Sequence, residues 1–459
     1  MRLSQATLPA LAPGALRPGY DRAAQGVGIV HIGIGAFHRA HQAWYTDRAM
    51  DAGDRDWGIT GVSLRSADVA AQMNPQQGLY TVTERSGAGW ETRLVGAVQD
   101  VLVAPQARDA VIARLAASAT RIVSLTVTEK GYCRAADGSL DLAQATAASL
   151  FAFLAAAFRR RKDNGLPGLT LLSCDNLADN GHQLARLMGA YLDRHDPQLT
   201  GWFEAECACP CTMVDRIVPA TTPSDRDELA ARIALIDEAA VMTEPFTQWV
   251  IEDRFATPRP RWEGVGAQLV GDVRPYETAK LRMLNGAHSA LAYIGLERGH
   301  DFVHQAIVDP EIRPVIEQLL LQEALPTIPA APGQDLHAYA EALIARFANP
   351  ALEHRLIQIA MDGSQKIPQR WLETLAANQA MARDCPAILR AIFAWIRHLR
   401  GLNGPVNDPR AADLARAAAE ADPIVAIFGP AGLLPSAWQP GDAAEQAQFR
   451  SGNPRGARI

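Results

Sequence analysis

One stretch of the chain concentrates groups able to move a proton beside a reacting carbon–oxygen bond: Tyr276-Glu277-Thr278-Ala279-Lys280-Leu281-Arg282-Met283-Leu284-Asn285-Gly286-Ala287-His288. On a regular helix at about 100° per residue, Glu277, Lys280, Asn285 and His288 fall within an arc of roughly 140°. Four polar groups of different chemistry then share one side, interleaved with Leu281 and Leu284. A solvated face, which usually carries long charges of mixed sign, is the plain alternative. Removing hydride from an alcohol carbon requires that the hydroxyl proton leave as well. A lysine withdrawn from water has its pKa lowered and can serve as that base near neutrality. An asparagine amide can donate to an oxygen gaining alkoxide character without adding acid–base chemistry of its own. His288 can orient a substrate, and Glu277, one turn before Lys280, can relay a proton to solvent.

A second constellation lies near the start. Val27-Gly28-Ile29-Val30-His31-Ile32 reads as a buried strand that turns at Gly33-Ile34-Gly35 into a helix from about Phe37 to Met50. A strand, a glycine turn and a helix N-terminus suit a dinucleotide pyrophosphate: one glycine for the tight turn, another for close approach of the phosphates. His38 stands where the third glycine of the usual pattern would be, and an ordinary strand-to-helix turn remains the alternative. Beyond the next strand, Asp68 in Arg65-Ser66-Ala67-Asp68 can accept from ribose hydroxyls, which favours NAD over NADP, or can merely cap a helix. Asn176, in Ser173-Cys174-Asp175-Asn176, supplies a further amide at a strand end, where turn and cap residues also occur.

These residues need elements to hold them. Apolar runs at 57–64, 121–127 and 169–174 read as further strands, with helical patterns at 107–119 and 143–162 between them. Alternating strand and helix implies an α/β Rossmann-type domain with a doubly wound, mostly parallel sheet. From Tyr276 to Leu414 Leu, Ala, Arg and Glu recur at helical spacing, so the boundary is placed at 1–275 and 276–459, with an all-α second domain. Glu445 to Ile459 is polar and is expected to fray.

At 459 residues the chain is long enough for two cores. It is 48% hydrophobic and 20% charged, with a net charge of −6, a balance with no field for nucleic acid and no polybasic face for a membrane. Met1 to Gly14 has neither a basic leader nor a long apolar run, so a cytoplasmic location is expected. Cys207, Cys209 and Cys211 are spaced more tightly than zinc ligand pairs, which are usually about two to four residues apart, so no metal is expected there.

Taken together, Gly33-Ile34-Gly35-Ala36-Phe37-His38-Arg39-Ala40-His41-Gln42 resembles the signature of the mannitol dehydrogenase family of polyol-specific long-chain dehydrogenases. So do Ser173 to Asn176, Met213-Val214-Asp215-Arg216, Glu244-Pro245-Phe246-Thr247-Gln248-Trp249 and the Lys280 segment, in collinear order from about residue 26 to about residue 414. The resemblance implies metal-independent hydride transfer with NAD at a cleft between the domains. It implies that Gly33, Gly35, Ala36 and Phe37 hold the cofactor and that Lys280 is the base. Asn176 and Asn285 then hold the oxyanion beside His288, and Glu277 gates the proton path. Asp215 matches a further acid of the site, with pairing to Arg216 as its structural alternative.

Ile359 to Arg370, with the Lys280 segment, looks closest to the fructuronate reductase branch, in which Lys366 or Arg370 would bind a substrate carboxylate. Gln358 stands where an arginine is expected in mannitol-oxidising members. The expected partner is a small-molecule sugar acid, with a free polyol such as mannitol or arabinitol as the other substrate reading. Monomer and dimer are both open. A non-catalytic dinucleotide sensor is disfavoured, because a sensor needs none of the four catalytic groups.

Overall fold

The structure, a computed structural model, describes residues 1–441. The Glu445–Ile459 stretch expected to fray lies outside the described residues. The chain folds as two compact units, Met1–Val273 and Arg274 onward.

The first unit is built on a five-stranded, wholly parallel sheet: β1 (Val27–Ile32), β2 (Gly58–Ser63), β3 (Val98–Val103), β4 (Ile122–Leu125) and β5 (Thr170–Ser173), in the order β3-β2-β1-β4-β5. The strands read as unbroken apolar runs because both faces are covered. Ile29, Ile59, Ile122 and Leu172 pack with Ala40, Ala43, Trp249 and Trp262. Val30, Val62, Val123 and Leu171 face the helices Leu150–Asp163 and Asn180–His195 through Leu154, Phe158, Leu184 and Met188. The chain order reverses beside β1, so the ends of β1 and β4 flank the switch point at which open α/β sheets bind ligands.

Two smaller sheets complete the unit. One orders Ala15–Leu16, Gly89–Val95, Tyr80–Ser86 and Val241–Thr243; the other orders Gln268–Val270, Gln248–Glu252 and Thr212–Asp215. The helix expected from residue 37 to 50 is broken at His41 into Ala36–Ala40 and Gln42–Asp51. The helix expected from 143 starts at Leu150, because the Ser149 side chain caps Ala152 N while Asp141 draws Ala143 N into a turn.

The second unit is helical. Its centre is Gly286–Glu297, whose Ala287, Ala290, Leu291 and Ile294 are buried among the helices Val303–Val308, Leu356–Ile359 and Pro386–Leu399. Among the described residues no helix is long and apolar enough to cross a membrane.

Buried Glu323 accepts the N–H groups of Ala387 and Ile388 at 2.7 and 2.8 Å, and burial pushes its carboxyl up to about 7. The folded state therefore holds a proton that the unfolded chain releases near its ordinary value of 4.5. That contribution is complete below pH 4.5 and disappears as pH rises through 7. In urea titrations, the stability of the native protein relative to Glu323→Gln should fall across this window and level off above it. A pH-independent difference would contradict the assignment.

Candidate active site

The glycine turn is held from beneath. Gly33 has φ +98°, and a Cβ there would lie 2.0 Å from Thr126 O, so only glycine fits. The Thr126 hydroxyl donates to Gly33 O at 2.7 Å and accepts from His31 Nε2 at 2.8 Å. That leaves His31 Nδ1 to accept the Ser124 hydroxyl, also at 2.8 Å. Burial drives His31 down to about 3, so the ring is neutral. His38, in the place of the third glycine, is fully buried and stacks on His31 with centroids 3.3 Å apart. A flat ring pair thus does the strand-to-helix packing that a glycine usually permits. Gly35 is exposed, and the nearest atom a Cβ on it would meet is Gly33 O at 3.9 Å, which leaves an open cradle beside Ala36 and Phe37.

Asp68 opens the helix Asp68–Met73 and is exposed. Its N–H bonds to Ser66 Oγ at 3.0 Å, and that hydroxyl donates to its carboxylate at 2.5 Å. It sits at the first helical position and not at the cap, which is Ala67. Its carboxylate keeps room to accept further donors.

Asn176 follows β5 in a segment pinned at both ends. Asp175 accepts Val127 N, Thr128 N and the Tyr132 hydroxyl at 2.8–3.1 Å. Asn180 donates to Asp175 O and Thr212 O and accepts Thr212 N. Asp215 ends the strand Thr212–Asp215, opposite Gln248. Its neighbour Arg216 turns elsewhere, to the Glu84 carboxylate, Ala40 O and Glu244 O.

In the second unit Lys280, Asn285 and His288 lie along one helix that is not a regular α-helix. Arg274–Ala279 is α-helical, Lys280–Asn285 is a π turn, and Gly286 N reaches back five residues to Leu281 O before the α-helix resumes. Lys280 and Asn285 mark the edges of the 140° arc of a regular helix. A five-residue hydrogen-bonded ring brings residues i and i+5 toward one side and narrows that arc. Another helix braces it. Pro368 interrupts the helical run Gly363–Ala380 without an N–H to give, and Pro368–Leu372 widens into a further π turn. From there Arg370 Nη1 donates to Asn285 O at 3.3 Å and Ser289 Oγ at 2.8 Å, while Trp371 Nε1 donates to Gly286 O at 3.1 Å.

The charged groups acting on His288 are cationic. His288 packs against Phe347 and edge-on to His354. Burial, then His354, Arg346 and Arg370, hold it well below its ordinary value, so it acts as a neutral ring. His354 is likewise lowered by burial, Arg346 and Lys366. Arg370 is lowered by burial to about 10 and remains charged at neutral pH. Lys366 Nζ donates to Ile359 O at 3.3 Å and Met361 O at 2.5 Å, which leaves one of its three protons. Gln358 is exposed. Arg346 and His354 were not among the residues singled out above. The available signal was a cation on the apolar face of Leu336–Phe347, in register with Leu343 and Phe347.

The sheet order and the glycine turn at its switch point define a Rossmann-type fold followed by a helical domain. The chain matches the mannitol dehydrogenase Rossmann domain over residues 27–264 and the mannitol dehydrogenase C-terminal domain over residues 272–428, and it belongs to that family of oxidoreductases. It is 40% identical to a D-mannonate oxidoreductase of Escherichia coli K12, with 91% of each chain covered. It is 39% identical to a mannitol 2-dehydrogenase of Pyricularia oryzae, covering 85% of this chain and 82% of that one. The solved ternary complex of Pseudomonas fluorescens mannitol 2-dehydrogenase with NAD and D-mannitol is 35% identical, with TM-score 0.80 over 98% of this chain and 96% of that one.

Trp371→Phe keeps the ring and removes only the N–H that reaches Gly286 O. It should destabilise the protein by about 0.5–1.5 kcal/mol in urea denaturation, the usual net contribution of one hydrogen bond, since Gly286 O keeps its place in the α-helix. A change near zero would show that the π turn needs no support from this residue.

Proposed function

We propose that the chain interconverts D-mannonate and D-fructuronate with NAD(H). The cationic setting of His288, with Arg346 and Arg370 around it and Lys366 near its neighbour His354, carries the sugar-acid reading. A carboxylate is the substrate group that such a setting favours. The D-mannonate oxidoreductase relative supports the same choice.

The Gly33–Gly35 cradle fits a pyrophosphate with Ala36 and Phe37 beside it, and Asp68 fits the adenosine ribose. The solved relative that contains NAD supports this cofactor, which when bound supplies the hydride acceptor. Lys280 takes the proton of the reacting hydroxyl as the carbon loses hydride, and Glu277 passes that proton on to solvent. Asn176 and Asn285 donate amide N–H groups to the oxygen as charge builds on it. Neutral His288 orients the hydroxyl without competing for its proton. Asp215 accepts from substrate hydroxyls, and the remaining proton of Lys366, together with Arg370, meets the carboxylate.

Oxidation of a free polyol to a ketose is the second reading. The mannitol 2-dehydrogenase relative favours it, as do the protein acceptors that Lys366 and Arg370 already serve.

NADH consumption with fructuronate and with fructose separates the two. The sugar-acid reading predicts a higher kcat/KM for fructuronate, and Lys366→Met should lower that value about 10- to 100-fold, as loss of a charge-assisted hydrogen bond does, while sparing fructose. A preference for fructose would transfer the protein to the polyol reading. Asp68→Ala should weaken NAD binding more than NADP binding in fluorescence titrations; equal binding of both, unchanged from the native protein, would reduce Asp68 to a structural residue.

A further inference from the structure

Outside the residues assigned to hydride transfer, Asp179, His182 and Cys211 bring a carboxylate oxygen, an imidazole nitrogen and a thiol sulfur within 4.8 Å of one another. The framework beneath them is rigid. Gly181 lies so close to the segment before Cys211 that a Cβ would meet Cys209 O and Pro210 O at 2.5 Å, which seats Cys211 against the start of the helix Asn180–His195. The Asn180 amide clamps this helix start to Thr212 from both sides, donating to Thr212 O and accepting Thr212 N at 2.9 Å. Glu252 holds Cys211 N at 2.9 Å and brings a second carboxylate into the neighbourhood.

The distances suit one ion. Tetrahedral zinc, with Zn–S of about 2.3 Å and Zn–N or Zn–O of about 2.0–2.1 Å, requires ligand edges of about 3.5–3.6 Å from sulfur and about 3.3–3.4 Å between nitrogen and oxygen. Cys211 Sγ lies 3.5 Å from His182 Nδ1 and 3.6 Å from Asp179 Oδ1. Only the Asp179–His182 edge, a hydrogen bond of 2.5 Å, must open to admit the ion. The Asp179 and His182 side chains are about half exposed, at 52% and 54%, so water can complete the fourth position and solvent gives the ion a way in.

We propose that Asp179, His182 and Cys211 form a binding site for zinc or a similarly borderline-soft divalent ion, separate from the hydride-transfer chemistry. The mixed sulfur, nitrogen and oxygen set excludes magnesium and calcium, which take oxygen ligands. Binding displaces the Cys211 thiol proton to solvent and forms the metal–thiolate bond, with no change of oxidation state. The tight cysteine spacing is irrelevant to this site, since Cys211 enters it alone and its companions come from a helix start some thirty residues earlier.

The test uses the full chain with Zn2+ and Co2+. Calorimetry should show one Zn2+ bound per chain at micromolar or lower concentration. His182→Ala and Cys211→Ser should each weaken it by at least about 10-fold, the lower end of what losing even an outer partner costs. Co2+ should produce a thiolate-to-cobalt charge-transfer band in the native protein that Cys211→Ser abolishes. His182 is exposed, so His182→Ala keeps the fold, and circular dichroism checks both variants. No zinc binding, binding unaltered in both variants, or a cobalt spectrum without the thiolate band would each overturn the proposal.

Discussion

A helix that makes room for one extra residue must be held in that geometry by what packs on it, and in the second unit a neighbouring helix does so. The π turn at Lys280–Asn285 is met by another π turn at Pro368–Leu372, whose Arg370 and Trp371 donate to Asn285 O and Gly286 O. Pro368 has no N–H to give, the helix widens there, and two side chains of the widened turn reach the end of the Lys280–Asn285 turn. Arg370 remains protonated through this work, since burial lowers it only to about 10. The same guanidinium helps keep His288 neutral. Backbone support and site electrostatics therefore share a residue.

The first unit solves a related problem with neutral rings. A polar side chain inside an apolar strand must be bonded or stacked, and His31 is both. Ser124 and Thr126 fix its tautomer, His38 covers its face, and Thr126 carries the bonding on to Gly33 O. The glycine turn at Gly33 is thus braced by hydrogen bonds from a ring that stays neutral near neutral pH. Asp175 and Asn180 brace the end of β5 in the same manner, with the carboxylate and amide spent on backbone groups around Asn176.

How much of this was legible in the sequence depended on locality. The strands ending at Ile32, Ser63, Leu125 and Ser173 announce themselves as apolar runs because both sheet faces are buried. Val98–Val103 was missed because Gln99 and Asp100 interrupt its pattern; Asp100 is spent on the Thr60 hydroxyl of the neighbouring strand. The Tyr80–Val95 hairpin escaped for a similar reason: Glu84, Arg85, Glu91 and Arg93 interrupt its apolar pattern, three of them paired with Arg216, Asp225 and Asp51. Alanine at 143–149 suggested helix where the Asp141 turn and the Ser149 cap decide otherwise. Lys280, Asn285 and His288 were found as a set because their types are unusual together. The π turn that arranges them was not legible locally, since the side chains that brace it, Arg370 and Trp371, lie some eighty residues away. Arg346 and His354 were lost among ordinary surface residues, although burial later marks them out.

The central claim is that Lys280, on the π turn, is the base of an alcohol–ketone interconversion. Turnover of Lys280→Ala, measured beside its affinity for NADH, tests it most directly. The account predicts that kcat falls by about 100- to 10,000-fold, the usual contribution of a positioned general base, while NADH binds as tightly as to the native protein. Turnover close to native, with NADH binding intact, would contradict it and require another residue to take the proton.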